Sequence, residues 1–147
     1  MAETAINSNL NTLLINLTRS LLQYVGEASP WSQDGAETEQ RTIDDLVARQ
    51  RAQVAALTEF LSARNWPIDF GSYPTEYTDL HYVALDYLLS QVIDNEESLV
   101  GDLEGLLETC ADDAEVVSLL EPILAEQRAI VSKLKELAAS CAKGSAA

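Results

Sequence analysis

The stretch EYTDLHYVALDY, residues 76–87, gathers Glu76, Tyr77, Asp79, His81, Tyr82, Asp86 and Tyr87 into one short span. Carboxylates beside an imidazole and phenols exchange protons readily, and a carboxylate next to His81 would orient its ring for general acid–base work. His81 is the only histidine of the chain. No nucleophile and no phosphate-binding loop accompanies the cluster. The competing reading is structural: Thr78 or Asp79 caps a helix, while His81 and the tyrosines pack a connecting segment onto the helices. Tyr77, Asp79, His81 and Asp86 are therefore a candidate ligand cluster for which packing is the expected role.

A second set of polar residues interrupts apolar stripes. Gln50 and Gln53 fall within the row Leu46, Val47, Val54, Leu57; Gln91 and Asn95 fall between Leu88 and Leu99; Gln127 falls between Leu124 and Ile130. Ser20 or Asn16 stands near the same level on the first helix. Amides at core positions must find hydrogen-bond partners or cost a few kcal/mol each. Gln50, Gln53, Gln91, Asn95 and Gln127 are expected to form a core polar layer in which amides bond one another and fix helix register, as a buried Asn does in coiled coils. A buried water cluster is the next alternative. A carboxylate-only metal site on Asp94 or Glu97 is the last.

The elements that must position these residues are helical. Ile6, Leu10, Leu13, Leu14, Leu17, Leu21, Tyr24 and Val25 recur at spacings of three and four and predict a helix over about 4–26. Ile15 and Leu22 lie off that stripe and suggest a second apolar face for a partner helix or subunit. Ile43 through Leu61 predict a helix over about 36–64, ended by Trp66-Pro67. Helices over about 79–110 and 113–141 follow, the last opened by Asp112 and Glu115 at capping-box spacing. Pro122 inside it predicts a kink or a break. Residues 65–78 contain Pro67, Gly71 and Pro74, which argue against helix. At ~3.3 Å per residue this segment reaches ~46 Å. A 25-residue helix is only ~38 Å long. The segment is therefore long enough to cross the whole bundle. The expected fold is all-α: two antiparallel hairpins joined by a long crossover between helices two and three, in one domain spanning 1–147. An up-down-up-down bundle is the alternative.

In this layout the chain resembles the ferritin-like superfamily, a four-helix bundle in which inward-facing Glu and Glu-x-x-His motifs bind two irons. RQRAQVAALTEFL resembles the family's second-helix pattern, with Gln50 at the Glu position and Gln53 at the His position. AEQRAIVSKLKEL resembles the fourth-helix pattern, with Gln127 and Ile130 at those positions. The resemblance implies the fold but lacks the di-iron ligands. Iron needs anionic carboxylates and imidazole nitrogen, and a glutamine carbonyl is a poor substitute for either. No metal, no cofactor and no catalytic residue is expected at the family's positions.

The chain's charge narrows its partners. With 24 acidic and 9 basic residues in 147, the net charge is −15. That field repels nucleic acid and anionic membrane surfaces. No apolar run approaches the ~18–20 residues of a membrane span. The start MAETAINSN lacks a secretory signal, which predicts a cytoplasmic protein. Cys110 and Cys141, expected at opposite ends of the bundle, predict no disulfide. Gly101 and Gly105 form a G-x-x-x-G pair that would let another helix approach. The expected role is structural or protein-interaction, as a homodimer or with another protein. A small-molecule binder or enzyme using the Tyr77, Asp79, His81, Asp86 cluster is the alternative, and a divergent metalloprotein the third reading.

Overall fold

A computed structural model describes residues 2–28, 37–75, 77 and 85–146. They form an all-helical bundle of α1 (Ala2–Thr18), α2 (Leu21–Ala28), α3 (Glu37–Ala63), α4 (Leu85–Thr109) and α5 (Ala114–Ala146). Among the described residues no helix is long and apolar enough to cross a membrane.

The first helix departs from expectation. Instead of one rod, the chain breaks at Arg19–Ser20 into α1 and α2. Ser20 supplies the reason: its hydroxyl accepts from the Gln23 amide at 3.2 Å, as an N-cap does. The Leu21 amide, which lacks an intrahelical carbonyl at the break, donates to Asn95 Oδ1 of α4 at 3.0 Å. Periodicity cannot reveal this, because both segments keep the same apolar stripe. Downstream, α5 is continuous through the exposed Pro122, so of the expected kink or break the break is not observed. Its N-cap is Asp113, one residue later than expected, with Oδ1 accepting from the Val116 amide at 3.2 Å.

Two apolar clusters fill the interior. The first joins Leu10, Leu13, Leu14 and Leu17 of α1 to Leu57 and Leu61 of α3, Leu99 and Leu103 of α4, and Val116, Leu120, Ile123 and Leu124 of α5. The second joins Leu21, Leu22 and Val25 of α2 to Ile43, Leu46 and Val47 of α3, Leu88, Leu89 and Val92 of α4, and Ile130, Leu134 and Leu137 of α5. Each fully buried leucine is worth ~2 kcal/mol of transfer free energy. Leu22 is thus a core residue, and the second face expected on the first helix is covered by the chain itself.

The segment after α3 does the covering. Asn65, at φ 60°, ends α3 in the left-handed conformation, and the Trp66 amide reaches back to the Leu61 carbonyl at 3.0 Å. Beyond it the chain lies extended on α1 and α2. Asn11 exchanges two 3.0 Å hydrogen bonds with the backbone of Asp69. Gly71, at φ 64°, sits so close to Ile15 that an added Cβ would come within 2.6 Å of its Cγ2. The Tyr73 hydroxyl donates to Glu27 at 2.8 Å. Its contacts move from Asn11 through Ile15 to Glu27 as its own numbering rises, so it runs in the direction of α1 and α2. At the end of α3, Arg64 pairs with Asp113 at 3.3 Å and Glu115 at 3.1 Å and donates to Asn7, tying α1, α3 and α5 together.

Two backbone positions test this account. Asn65→Val should cost about 1–2 kcal/mol in urea unfolding, because a β-branched residue is strained at positive φ, whereas Asn65→Gly should cost nothing. Gly71→Ala should cost more than Asn65→Val, since it adds the clash with Ile15 to the same strain.

Candidate functional site

Between the two clusters lies a polar cross-section to which every rod contributes one side chain. Ser20 at the helix break is 1% exposed, and Gln50 of α3, Glu96 of α4 and Gln127 of α5 are each 0% exposed. Each sits where the stripe requires an inward residue. Glu96 follows Val92 by four positions and precedes Leu99 by three, and both are core residues. Gln50 follows Leu46 and Val47; Gln127 follows Ile123 and Leu124.

The layer is a directed hydrogen-bond network that ends on a carboxyl group. Ser20 Oγ donates to Gln50 Oε1 at 2.8 Å. Gln23 of α2 donates to the same oxygen at 3.0 Å and to the Val47 carbonyl at 3.1 Å. With its oxygen so engaged, Gln50 turns its Nε2 inward, donating to Glu96 Oε2 at 2.6 Å and to Gln127 Oε1 at 3.3 Å. Gln127 Nε2 donates to the same Glu96 oxygen. At the outer edge, Arg51 Nε donates to Gln23 Oε1 at 3.2 Å, linking the network to the surface. The layer thus carries the electrostatic bias of amide dipoles pointing at Glu96.

Burial dominates the ionisation of Glu96. Removing its carboxylate from water pushes its pKa up to about 7, and the amides of Gln127 and Gln50 and the Ser20 hydroxyl offset only part of that. Glu96 Oε1 has no hydrogen-bond partner among the described residues, while Oε2 accepts both amides. A proton carried on Oε1 leaves both amide bonds intact. Chemically, the layer can hold and release one proton near neutrality.

It does not fit a di-iron centre. One carboxylate with two amides and a hydroxyl cannot balance two divalent or trivalent ions, and the amide N–H groups face the carboxylate where a cation would have to sit. Among the described residues no three His, Cys, Asp or Glu side chains converge as a metal site.

Only part of the layer expected from sequence is assembled. Gln50 and Gln127 meet. Gln53 is buried, but neither end of its amide has a partner among the described residues. Gln91 is half-buried, and Asn95 serves the helix break by accepting from Leu21. The missed residue is Glu96. It lies in the polar run DNEES, residues 94–98, where acidic side chains are ordinarily solvated. The signal was its place in the row Leu88, Val92, Leu99, Leu103, one residue beyond Asn95. The alternative carboxylates face outward: Glu97 pairs with Lys135 at 2.7 Å, and Asp94 is exposed.

The acid–base cluster is described only in part. Tyr77 is half-buried, with its ring 5.5 Å from that of Tyr24 and 6.4 Å from that of Tyr73. Asp79 and His81 lie outside the described residues, as does the Asp86 side chain. In the adjoining aromatic group, burial and the neighbouring Glu27 carboxylate push the Tyr73 phenol up to about 12, so it acts as a hydrogen-bond donor and not as a base. The Cys110 thiol is likewise pushed up, by burial and then by Asp113, which argues against thiolate chemistry.

Glu96 makes a pH prediction whose sign follows from its shift. In the unfolded chain it ionises near its ordinary value of 4.5, and in the fold near 7. Between those values the folded state retains a proton that the unfolded state has released, so its stabilisation is complete below pH 4.5, falls as pH rises, and is lost above 7. Glu96→Gln removes this dependence. At pH 8 the variant should be more stable than the parent by up to about 3 kcal/mol, with the gap nearly closed at pH 4.5, as read by urea unfolding at both values. Equal loss of stability at both would contradict the assignment. Compared with protein-family models, curated proteins and solved structures, the chain matches none.

Proposed function

We propose that the chain is a non-catalytic, ferritin-like bundle with a structural or protein-interaction role, its polar layer setting helix register where the family's irons would bind. The observation that carries this reading is the convergence of the Gln50 and Gln127 amide protons on Glu96 Oε2. The Oε2 lone pairs that would meet a cation are engaged by N–H groups instead. The ferritin-like topology is supported by the clusters: α3 and α4 both place their N-terminal halves in the second cluster and their C-terminal halves in the first. An extended connection lying on α1 and α2 is compatible with a crossover between two hairpins.

The surface bears on the kind of partner. Among the described residues the exposed large hydrophobic side chains are Phe70 and Tyr87. Self-association would bring together two chains of net charge −15, whose mutual repulsion an apolar contact would have to offset. A basic protein partner is therefore favoured here over a second copy.

Elemental analysis after incubation with ferrous iron or manganese, with light scattering on the same sample, tests both parts. Less than one retained ion per chain and the mass of a monomer are expected. Two tightly held ions per chain would overturn the reading of Gln50, Glu96 and Gln127. A stable dimer would make the partner a second copy.

A further inference from the structure

Arg19 is anomalous among the half-buried arginines. Arg49 is paired with Glu126, and Arg64 with Asp113 and Glu115. Arg19 has no carboxylate within ion-pair distance among the described residues, although the chain carries 24 acidic side chains. Yet its guanidinium is held in place. Nε donates to the Phe70 carbonyl at 3.1 Å, and the group lies 5.0 Å from the centre of the Tyr73 ring. An oriented guanidinium with no carboxylate in ion-pair distance is a site for an anionic ligand group, because the cost of ordering it has already been met in the fold.

It borders a cavity of about 270 Å³ between the end of α1 and the face of α4, also lined by Asn16, Ser72, Asn95, Ser98 and Asp102. That is below the ~300–1,000 Å³ typical of drug-sized sites, so the occupant has few heavy atoms. The lining is mostly hydrogen-bonding. Asn95 Oδ1 is committed to the Leu21 amide, which leaves its Nδ2 protons to donate. Asn95, Ser98 and Asp102 share one face of α4, and Asp102 lies ~10 Å along the helix from Asn95. The Asp102 carboxylate opposes a dianion and suits an ammonium or hydroxyl group.

We propose that this cavity binds a small amino or hydroxy acid, with Arg19 taking the carboxylate, Asn95 and Ser98 hydrogen-bonding beside it, and Asp102 accepting from the amino or hydroxyl group. Glu96, one residue from Asn95, faces the core layer and takes no part. The proposal is therefore independent of the metal-free reading of that layer.

Isothermal titration calorimetry on the full chain tests it with glycine, serine, glycolate, acetate and inorganic phosphate as probes. One site per chain is expected for glycine, serine or glycolate, with acetate and phosphate weaker. Arg19→Gln should weaken the bound probe by about tenfold or more, the usual size of a lost charged hydrogen bond. Ser98→Phe, at an exposed helix position, should abolish binding by filling the cavity while the thermal midpoint stays unchanged. Asp102→Asn should narrow the preference over acetate. Absence of binding by every probe, phosphate binding as tightly as the amino acids, or affinity unchanged in Arg19→Gln or Ser98→Phe would each overturn the proposal.

Discussion

A carboxyl group at the centre of an apolar bundle is the constraint around which the rest of this structure is arranged. Left alone in the interior, the Glu96 carboxylate would cost several kcal/mol. Two responses reduce that cost. The group keeps its proton up to about pH 7, and Gln50 and Gln127 supply donors to one of its oxygens. Those amides must be satisfied in turn, so Gln50 is held by Ser20 and Gln23, and Gln23 reaches Val47 and Arg51. Each step requires a residue from a different rod at the same height. Sliding α4 or α5 by one turn would bring an apolar side chain to the level of the amides. The layer therefore specifies register in a core whose leucines alone would tolerate several.

The break in the first rod belongs to the same arrangement. Ser20 both caps α2 and bonds Gln50, and Asn95, the neighbour of Glu96, accepts the amide that the break exposes. A continuous helix would use the Leu21 amide internally and leave Asn95 to find another partner. The break also brings Arg19 to the point where the extended segment passes, and Phe70 and Tyr73 hold it there. Core polarity, helix interruption and the proposed ligand cavity are thus neighbours along one side of the bundle.

The external charge has a different origin and a different consequence. Acidic side chains cover the bundle, and the ion pairs at its surface, such as Glu104 with Arg128 at 3.2 Å, are exposed and worth little each. The exception is the Arg64 cluster, where one half-buried guanidinium serves Asn7, Asp113 and Glu115 and joins three helices at one end. Stability resides mainly in the two apolar clusters, and the layer between them specifies register. The surface is left to determine what the protein approaches, and its net charge of −15 opposes polyanions.

The sequence by itself determined the helical class, the rods after the first break, and the positions of Gln50 and Gln127, because apolar spacing at three and four residues is a local property. The polar interruptions of the stripes were also legible, since an amide between leucines stands out in any register. What only the tertiary structure decided is which of several adjacent polar residues turns inward. Asp94, Asn95, Glu96 and Glu97 are consecutive, and a helix rotation of ~100° per residue separates a solvated acid from a buried one. The helix break was equally hidden, because Ser20 becomes a cap only when Asn95 and Gln50 stand opposite it. Those partners are thirty or more residues away in the chain, and long-range satisfaction of backbone and amide groups leaves no periodic trace.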